Sequence, residues 1–187
     1  MSEKRDVVVV GAGPAGYAAA FMATDKGKKV TIIDPEKNPG GVCLYRGCIP
    51  TKALLHAVKT KHEAALAADW GMKFEEPEID LDKLRSWKES VVQKLTKGLG
   101  SLSTRRKIEQ IHGMARFKDG KTLIATTNDG EQEISAQSII LATGARAQML
   151  PMMPDDDRVW TAESALDLPS IPKRLLVVGG GYIGLEM

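Results

Sequence analysis

Val7-Val8-Val9-Val10-Gly11-Ala12-Gly13-Pro14-Ala15-Gly16 decides how the chain is read. Four apolar, β-branched residues in a row suit a parallel strand covered on both faces. The glycines then permit a tight turn, close approach of a pyrophosphate and close packing of helix on strand. A helix through about Lys26 follows the motif, and a second strand, Lys29–Ile33, ends in Asp34. Residues 6–34 therefore read as one βαβ unit. The helix N-terminus stabilises phosphate charge, and Asp34 can accept from ribose hydroxyls. A structural Gly-rich turn is the plainer reading, but it leaves the strand, the helix and the acid unexplained.

The same device returns near the other end. Leu175–Val178 reads as a strand, followed by Gly179-Gly180-Gly181-Tyr182-Ile183-Gly184. Residues 11–16 and 179–184 form an internal repeat, one copy for each dinucleotide. A complete βαβ unit takes about 30 residues, so a second nucleotide domain is expected to be begun here and not finished.

Between the copies lies Gly40-Gly41-Val42-Cys43-Leu44-Tyr45-Arg46-Gly47-Cys48-Ile49-Pro50-Thr51-Lys52, which holds both cysteines of the chain. Zinc would want four ligands, and of His56, His62 and His112 only the first is near, so a metal site is poorly supported. A disulfide that opens and closes during a reaction fits better, with two unrelated buried thiols as the alternative. Residues five apart on a regular helix have Cα atoms about 8.7 Å apart by helix geometry. A disulfide tolerates at most about 7 Å. Cys43 and Cys48 can therefore pair only where the helix is interrupted, and Gly47 supplies the freedom.

The rest of the chain reads as scaffold. Apolar spacing from Thr51 is helical until Gly71, and Glu75-Glu76-Pro77-Glu78 is a loop. A long helix is expected from about Asp80 to Ser103, with Leu81, Leu84, Trp87, Val91 and Leu95 on its core face and Gly98 and Gly100 weakening its end. Ile108–Phe117, Thr122–Thr127 and Glu131–Ile134 read as strands, the last two joined through Asn128-Asp129-Gly130. Ser138–Leu141 reads as a further buried strand, ending in Ala142-Thr143-Gly144. A proline-bearing linker with a short helix near Ala162–Leu166 leads to the second glycine motif. The expected domains are 1–150, a linker 151–173, and the start of a second nucleotide domain at 174–187.

Composition supports a globular chain. Of 187 residues 43% are hydrophobic and 27% charged, and 26 basic residues nearly balance 24 acidic ones, which gives no nucleic-acid face. Lys4-Arg5 before an apolar run imitates a secretory signal, but Gly11, Gly13, Pro14 and Gly16 would break its helix. No stretch could span a bilayer, and the expected compartment is the reducing cytoplasm.

Taken together, these motifs resemble the pyridine nucleotide–disulfide oxidoreductases. Gly-Gly-Val-Cys and Cys-Ile-Pro-Thr-Lys-Ala-Leu-Leu-His are most similar to the branch that oxidises dihydrolipoyl groups. Tyr45-Arg46 stands where Asn-Val is common, Thr51 where Ser is common, and Asp34 where Glu is common. The resemblance implies an α/β fold: a Rossmann-like FAD-binding domain with a parallel sheet and a β-meander insertion, then the first strand and turn of an NAD-binding unit. It implies that FAD lies along Gly11, Gly13, Pro14, Ala15 and Gly16, with Asp34, Gly41, Ala115, Thr143 and Gly144 around it. NAD would meet Gly179, Gly181, Tyr182 and Gly184. Cys43 would exchange with substrate sulfur, Cys48 would face the flavin, and Lys52 would sit by flavin N5, paired with Glu186. Electrons would pass from dihydrolipoyl domains of 2-oxo acid dehydrogenase or glycine-cleavage complexes to NAD+. The implied protein is a homodimer whose dimerisation domain and His–Glu base lie beyond residue 187, so the isolated 187 residues are expected to be inactive. Mercuric or glutathione reductase, or a non-catalytic FAD-binding or interaction module, are the alternatives.

Overall fold

The computed structural model describes residues 5–187; Lys4, of the basic pair above, and residues 1–3 of the first expected domain lie outside them. The chain divides into two compact units. One runs through Tyr45 and returns at Lys94–Ala145, and the other takes Arg46–Gln93 and Arg146–Met187.

The first unit is built on β1 (Arg5–Val10), α1 (Pro14–Asp25) and β2 (Val30–Asp34), as the periodicity predicts. After α2 (Gly41–Arg46), α3 (Cys48–Leu66) and α4 (Leu81–Arg105) come β3 (Glu109–Asp119), β4 (Thr122–Thr127) and β5 (Gly130–Leu141). β1 pairs in parallel with β2 and β5, and β2 in parallel with the first half of β3. The second half of β3 turns antiparallel to β4, and β4 to the first half of β5, so that the five strands close on themselves. One parallel layer and one meander thus share two long strands.

Period-two alternation sorts the side chains. Val8, Val10, Ile33 and Ile111 point inside the ring with Leu123 and Ile134 from the meander. Val9, Val30 and Ile32 point out, where Ala12, Ala20 and Phe21 from the α1 side pack on them. Arg106, just past α4, lies 4.7 Å over the Phe21 ring and bonds Asp25 at the end of α1.

Two strand expectations change. Glu131–Ile134 and Ser138–Leu141 are halves of the single strand β5. The second half is not buried, because β5 is the edge of the parallel layer there, and Leu141 is 60% exposed. Leu175–Val178 forms no strand: no described strand pairs with it, a lone extended segment cannot satisfy its own backbone, and Leu176 is 87% exposed.

In the second unit α3 runs into a 3-10 turn, Ala67–Trp70, and Gly71 ends it at φ +87°. His56 on α3 and Trp87 on α4 bring their rings to 6.3 Å. Asp80 caps α4, its carboxylate accepting the Lys83 N–H, which holds its pKa below the ordinary value. The core face of α4 is only partly the predicted one: Leu81, Leu84 and Val91 are half-buried. Trp87 and Leu95 are exposed, while Lys88, Val92, Thr96 and Ser103 are buried. Lys88 tolerates this because its stem packs while its ammonium donates to Leu166 O, 2.7 Å away. Arg85 donates to Leu168 O and Pro169 O, so two cations hold the end of α5 (Ala162–Leu166). That end sits where the helix dipole favours positive charge. A Thr161–Ser164 capping box starts α5, and α6 (Tyr182–Glu186) ends the described chain. Gly98 and Gly100 do not stop α4, which continues to Arg105. Among the described residues, no helix is long and apolar enough to cross a membrane.

Arg5, Thr31 and Glu109 tie β1, β2 and β3 together at their starts. The Arg5 guanidinium donates to both Glu109 oxygens at 2.6 and 2.8 Å, and the Thr31 hydroxyl donates to one of them at 2.6 Å. These bonds, Arg5 foremost, hold the Glu109 carboxyl below the ordinary value of 4.5. A depressed carboxyl contributes stability that is present above that value and lost as pH falls through the lower, folded one. Denaturant midpoints of the parent should therefore fall below about pH 4.5, and the Glu109→Gln chain should lose part of that dependence.

Candidate functional site

The first glycine loop is shaped by atoms that have no room to be anything else. Gly11 has φ +96°, and a Cβ there would lie 2.2 Å from Ala142 O. A Cβ on Gly16 would lie 1.9 Å from Gly11 O, so α1 starts directly against the strand end. Gly13 stands at the N-cap of α1 with no side-chain cap, Pro14 and Ala15 follow, and the first turn holds no acid. The N–H groups at that helix start are left for an anionic partner, which a pyrophosphate satisfies. This donor set, in a cradle that a side chain would fill, fits a dinucleotide.

Asp34 ends β2 and supports the same loop. One of its oxygens accepts the Ala12 N–H at 2.7 Å and the other the Glu36 N–H at 2.9 Å. In register beside it on β3 is His112, whose Nδ1 lies 3.1 Å from Glu36 O. Gly41, at φ +59°, presses on the loop: a Cβ there would lie 2.5 Å from Gly13 Cα. Gly40 N–H donates to Ala12 O, and Ala142 N–H to Val10 O, which brings the Thr143-Gly144 turn beside the loop. Gly144 has φ +71° and open space where its Cβ would be. Ala115 sits in the β3–β4 ladder opposite Ala125, packed on the ring interior.

The second loop, in the other unit, repeats these dimensions. Gly179 has φ +115°, and a Cβ on Gly184 would lie 2.2 Å from Gly179 O. Gly181 takes the N-cap of α6 at φ −73°, ψ 173°, against φ −67°, ψ −177° at Gly13. Tyr182 follows, largely exposed. The repeat read in sequence is a repeat of backbone conformation, formed even though its strand is unpaired.

Cys43 lies within α2, which was not expected as helix, and Cys48 is the first residue of α3. Gly47, at φ −145°, ψ −111°, separates the two, so regular helix resumes at Cys48. Both cysteines are half-buried thiols in this structure. Thr51 donates its hydroxyl and its N–H to Gly47 O. One turn beyond Cys48, Lys52 bonds both Glu186 oxygens at 2.6 and 2.9 Å, the ion pair the resemblance implies. That pair is the main cause of a raised Lys52 pKa, to which Cys48 and Tyr182 add.

Sequence reasoning missed the partners of the two unusual residues. Tyr45 donates to Asn38 O at 3.0 Å, and burial pushes its phenol up. Arg46 pairs with Glu163 at 2.9 Å. Their departure from the common Asn-Val was the only signal available.

The sequence profile described as pyridine nucleotide-disulphide oxidoreductase matches residues 5–187. The chain belongs to that family. Among the family's proteins, the dihydrolipoyl dehydrogenase of Haemophilus influenzae is 47% identical over 186 residues, 98% of this chain and 39% of its own length. That of Geobacillus stearothermophilus is 43% identical over 182 residues, 97% and 38% respectively. A solved Cu(II) complex of an HOCl-induced flavoprotein disulfide reductase from Escherichia coli superposes with a TM-score of 0.82 at 28% identity. It covers 98% of this chain and 39% of that one. The chain thus spans about two fifths of the length of these oxidoreductases.

Two outcomes follow from the geometry. Gly16→Ala should cost about 1–3 kcal/mol or more through overpacking on Gly11 O, read as a lower denaturation midpoint with unchanged slope. Glu186→Gln should make the Lys52 ammonium titrate at lower pH, read from the pH dependence of its acetylation.

Proposed function

We propose that this chain forms the FAD-binding and disulfide-bearing part of a dihydrolipoamide dehydrogenase. The observation that carries the reading is the placement of Cys48. It opens a 19-residue helix, where the dipole favours negative charge, and lies one turn from a lysine that Glu186 keeps protonated. The glycine loops give the same chain two sites of dinucleotide shape, and relatives at 47 and 43% identity share the name dihydrolipoyl dehydrogenase.

In this reading Gly11, Gly13, Pro14, Ala15 and Gly16 hold the FAD pyrophosphate. Asp34 receives the adenosine ribose, while Gly41, Ala115, Thr143 and Gly144 line the remainder. Gly179, Gly181, Tyr182 and Gly184 serve NAD in the same way. When bound, FAD supplies the two-electron relay between thiols and NAD+. The chain's own part is thiol exchange. A thiolate of the substrate attacks Cys43 Sγ of the oxidised pair, forming a mixed disulfide and releasing Cys48 as thiolate. The second substrate thiolate then attacks the substrate sulfur bound to Cys43, breaks that bond to expel Cys43 as thiolate, and leaves two reduced cysteines and one substrate disulfide. Lys52 holds positive charge beside Cys48, and Glu186 fixes the lysine in place. The substrates are dihydrolipoyl domains of 2-oxo acid dehydrogenase or glycine-cleavage complexes, and the working protein is a cytoplasmic homodimer.

A second reading, a disulfide reductase with another acceptor, draws on the structural match to the Escherichia coli flavoprotein. Substrate choice separates the two. In a full-length protein carrying this sequence, dihydrolipoamide should reduce NAD+, and Cys43→Ser or Cys48→Ser should each abolish the reaction. Turnover with glutathione disulfide or a metal ion and none with dihydrolipoamide would favour the second reading.

The purified protein should show the absorbance of bound flavin. Asp34→Ala should weaken flavin binding by about 1.5–3 kcal/mol, the worth of hydrogen bonds to a charged group. Unchanged flavin affinity removes Asp34 from the site. Lys52→Ala and Glu186→Ala should each slow flavin reduction, and together should cost less than their sum.

A further inference from the structure

The phenol of Tyr45 occupies a place that the chemistry above leaves unexplained. Helix α2 has six residues, too few to hold its shape alone. Its start is fixed by backbone: Gly41 rests on Gly13, and the preceding Gly40 donates to Ala12 O. Leu44 is buried and anchors the middle. At the end Arg46 pairs with Glu163, and beside it stands Tyr45. Its hydroxyl donates to Asn38 O at 3.0 Å and accepts from the Thr96 hydroxyl on α4. Its ring edge lies against Gly40, where a Cβ would come within 3.0 Å. Asn38 is itself seated, because its carboxamide enters the notch left by Gly100, where a Cβ would lie 2.1 Å from Asn38 Oδ1.

Gly100, Asn38, Tyr45 and Thr96 therefore form one stack that ends on α2. Burial pushes the phenol up, so it stays protonated, and able to donate to Asn38 O, through the range in which thiols ionise. Two residues before it on the same short helix is Cys43. With both ends of α2 held, the helix cannot turn about its axis, and the direction of the Cys43 side chain is set.

We propose that Tyr45 is a positioning residue for Cys43, holding the thiol in a fixed orientation through its bonds to Asn38 and Thr96. It touches no reacting atom in this role. The inference deepens the reading of Cys43 as the exchange thiol and rests on it. A chain with a smaller residue at position 45 would need another support for the end of α2.

The test compares the fully reduced chain with Tyr45→Phe, which removes only the hydroxyl, and Thr96→Val, which removes the donor to it. Alkylation rates of Cys43 and Cys48 by iodoacetamide are measured by peptide mass spectrometry from pH 6 to 9, alongside circular dichroism and melting. Losing one net hydrogen bond raises the population of loosened helix roughly two- to tenfold. The ratio of Cys43 to Cys48 rates should rise by that factor at every pH, with unchanged helix content. A merely structural role predicts a lower melting temperature and the parent's ratio, and that result overturns the proposal. If Tyr45→Phe does not fold, the ratio in Thr96→Val decides by the same criterion. Exchange with a small dithiol, followed on the same samples, reports separately on the redox reading.

Discussion

The contact between Gly16 and the carbonyl of Gly11 is the constraint on which the first unit depends. With a Cβ 1.9 Å from that oxygen excluded, α1 can begin against the end of β1 and lie flat on the parallel layer. Its alanines then bury with Val9 and Ile32 instead of standing off them. The same closeness leaves uncapped N–H groups at the start of α1, where negative charge is favoured. Packing thus dictates glycine at this position, and a larger residue would force the helix off the strand end.

Asp34 shows how a shorter acid changes such a loop. Both of its oxygens already accept backbone N–H groups, so it stiffens the turn as well as facing outward from it. A carboxylate oxygen has lone pairs for a second donor, so these two bonds leave acceptor capacity on Asp34. A glutamate, one methylene longer, would place its carboxylate farther from Ala12.

Much of this was legible in the sequence because it rests on local rules. The glycine spacings and the helix through Ala162–Leu166 are set mostly by chain neighbours, and Val7–Val10 folds as read because β2 and β5 pair with it. The long helix was harder. Its apolar stripe at Trp87 and Leu95 suggested one face, while burial selected Lys88, Val92 and Thr96. A lysine marks a solvent face in any periodicity argument, and only a carbonyl 78 residues away, Leu166 O, makes its burial tolerable. Tyr45 and Arg46 were opaque for the same reason, since their partners Asn38, Thr96 and Glu163 are not coded beside them. The strand at Leu175–Val178 failed for another reason: pairing is not a property of the segment that pairs.

The two glycine loops share a backbone but not a neighbourhood, and this sets how freely each can drift. In the first, Gly11 and Gly16 meet backbone atoms of two other segments, so nearly every exchange there is barred. In the second only Gly184 is hemmed in, while Gly180 and Gly181 look onto open space and Gly179 is restrained only by its dihedral angle. Where substitutions accumulate over many generations, the first loop should persist almost unaltered. Within residues 5–187 positions 180 and 181 meet no such backbone, so the constraint on the second loop rests on Gly179 and Gly184.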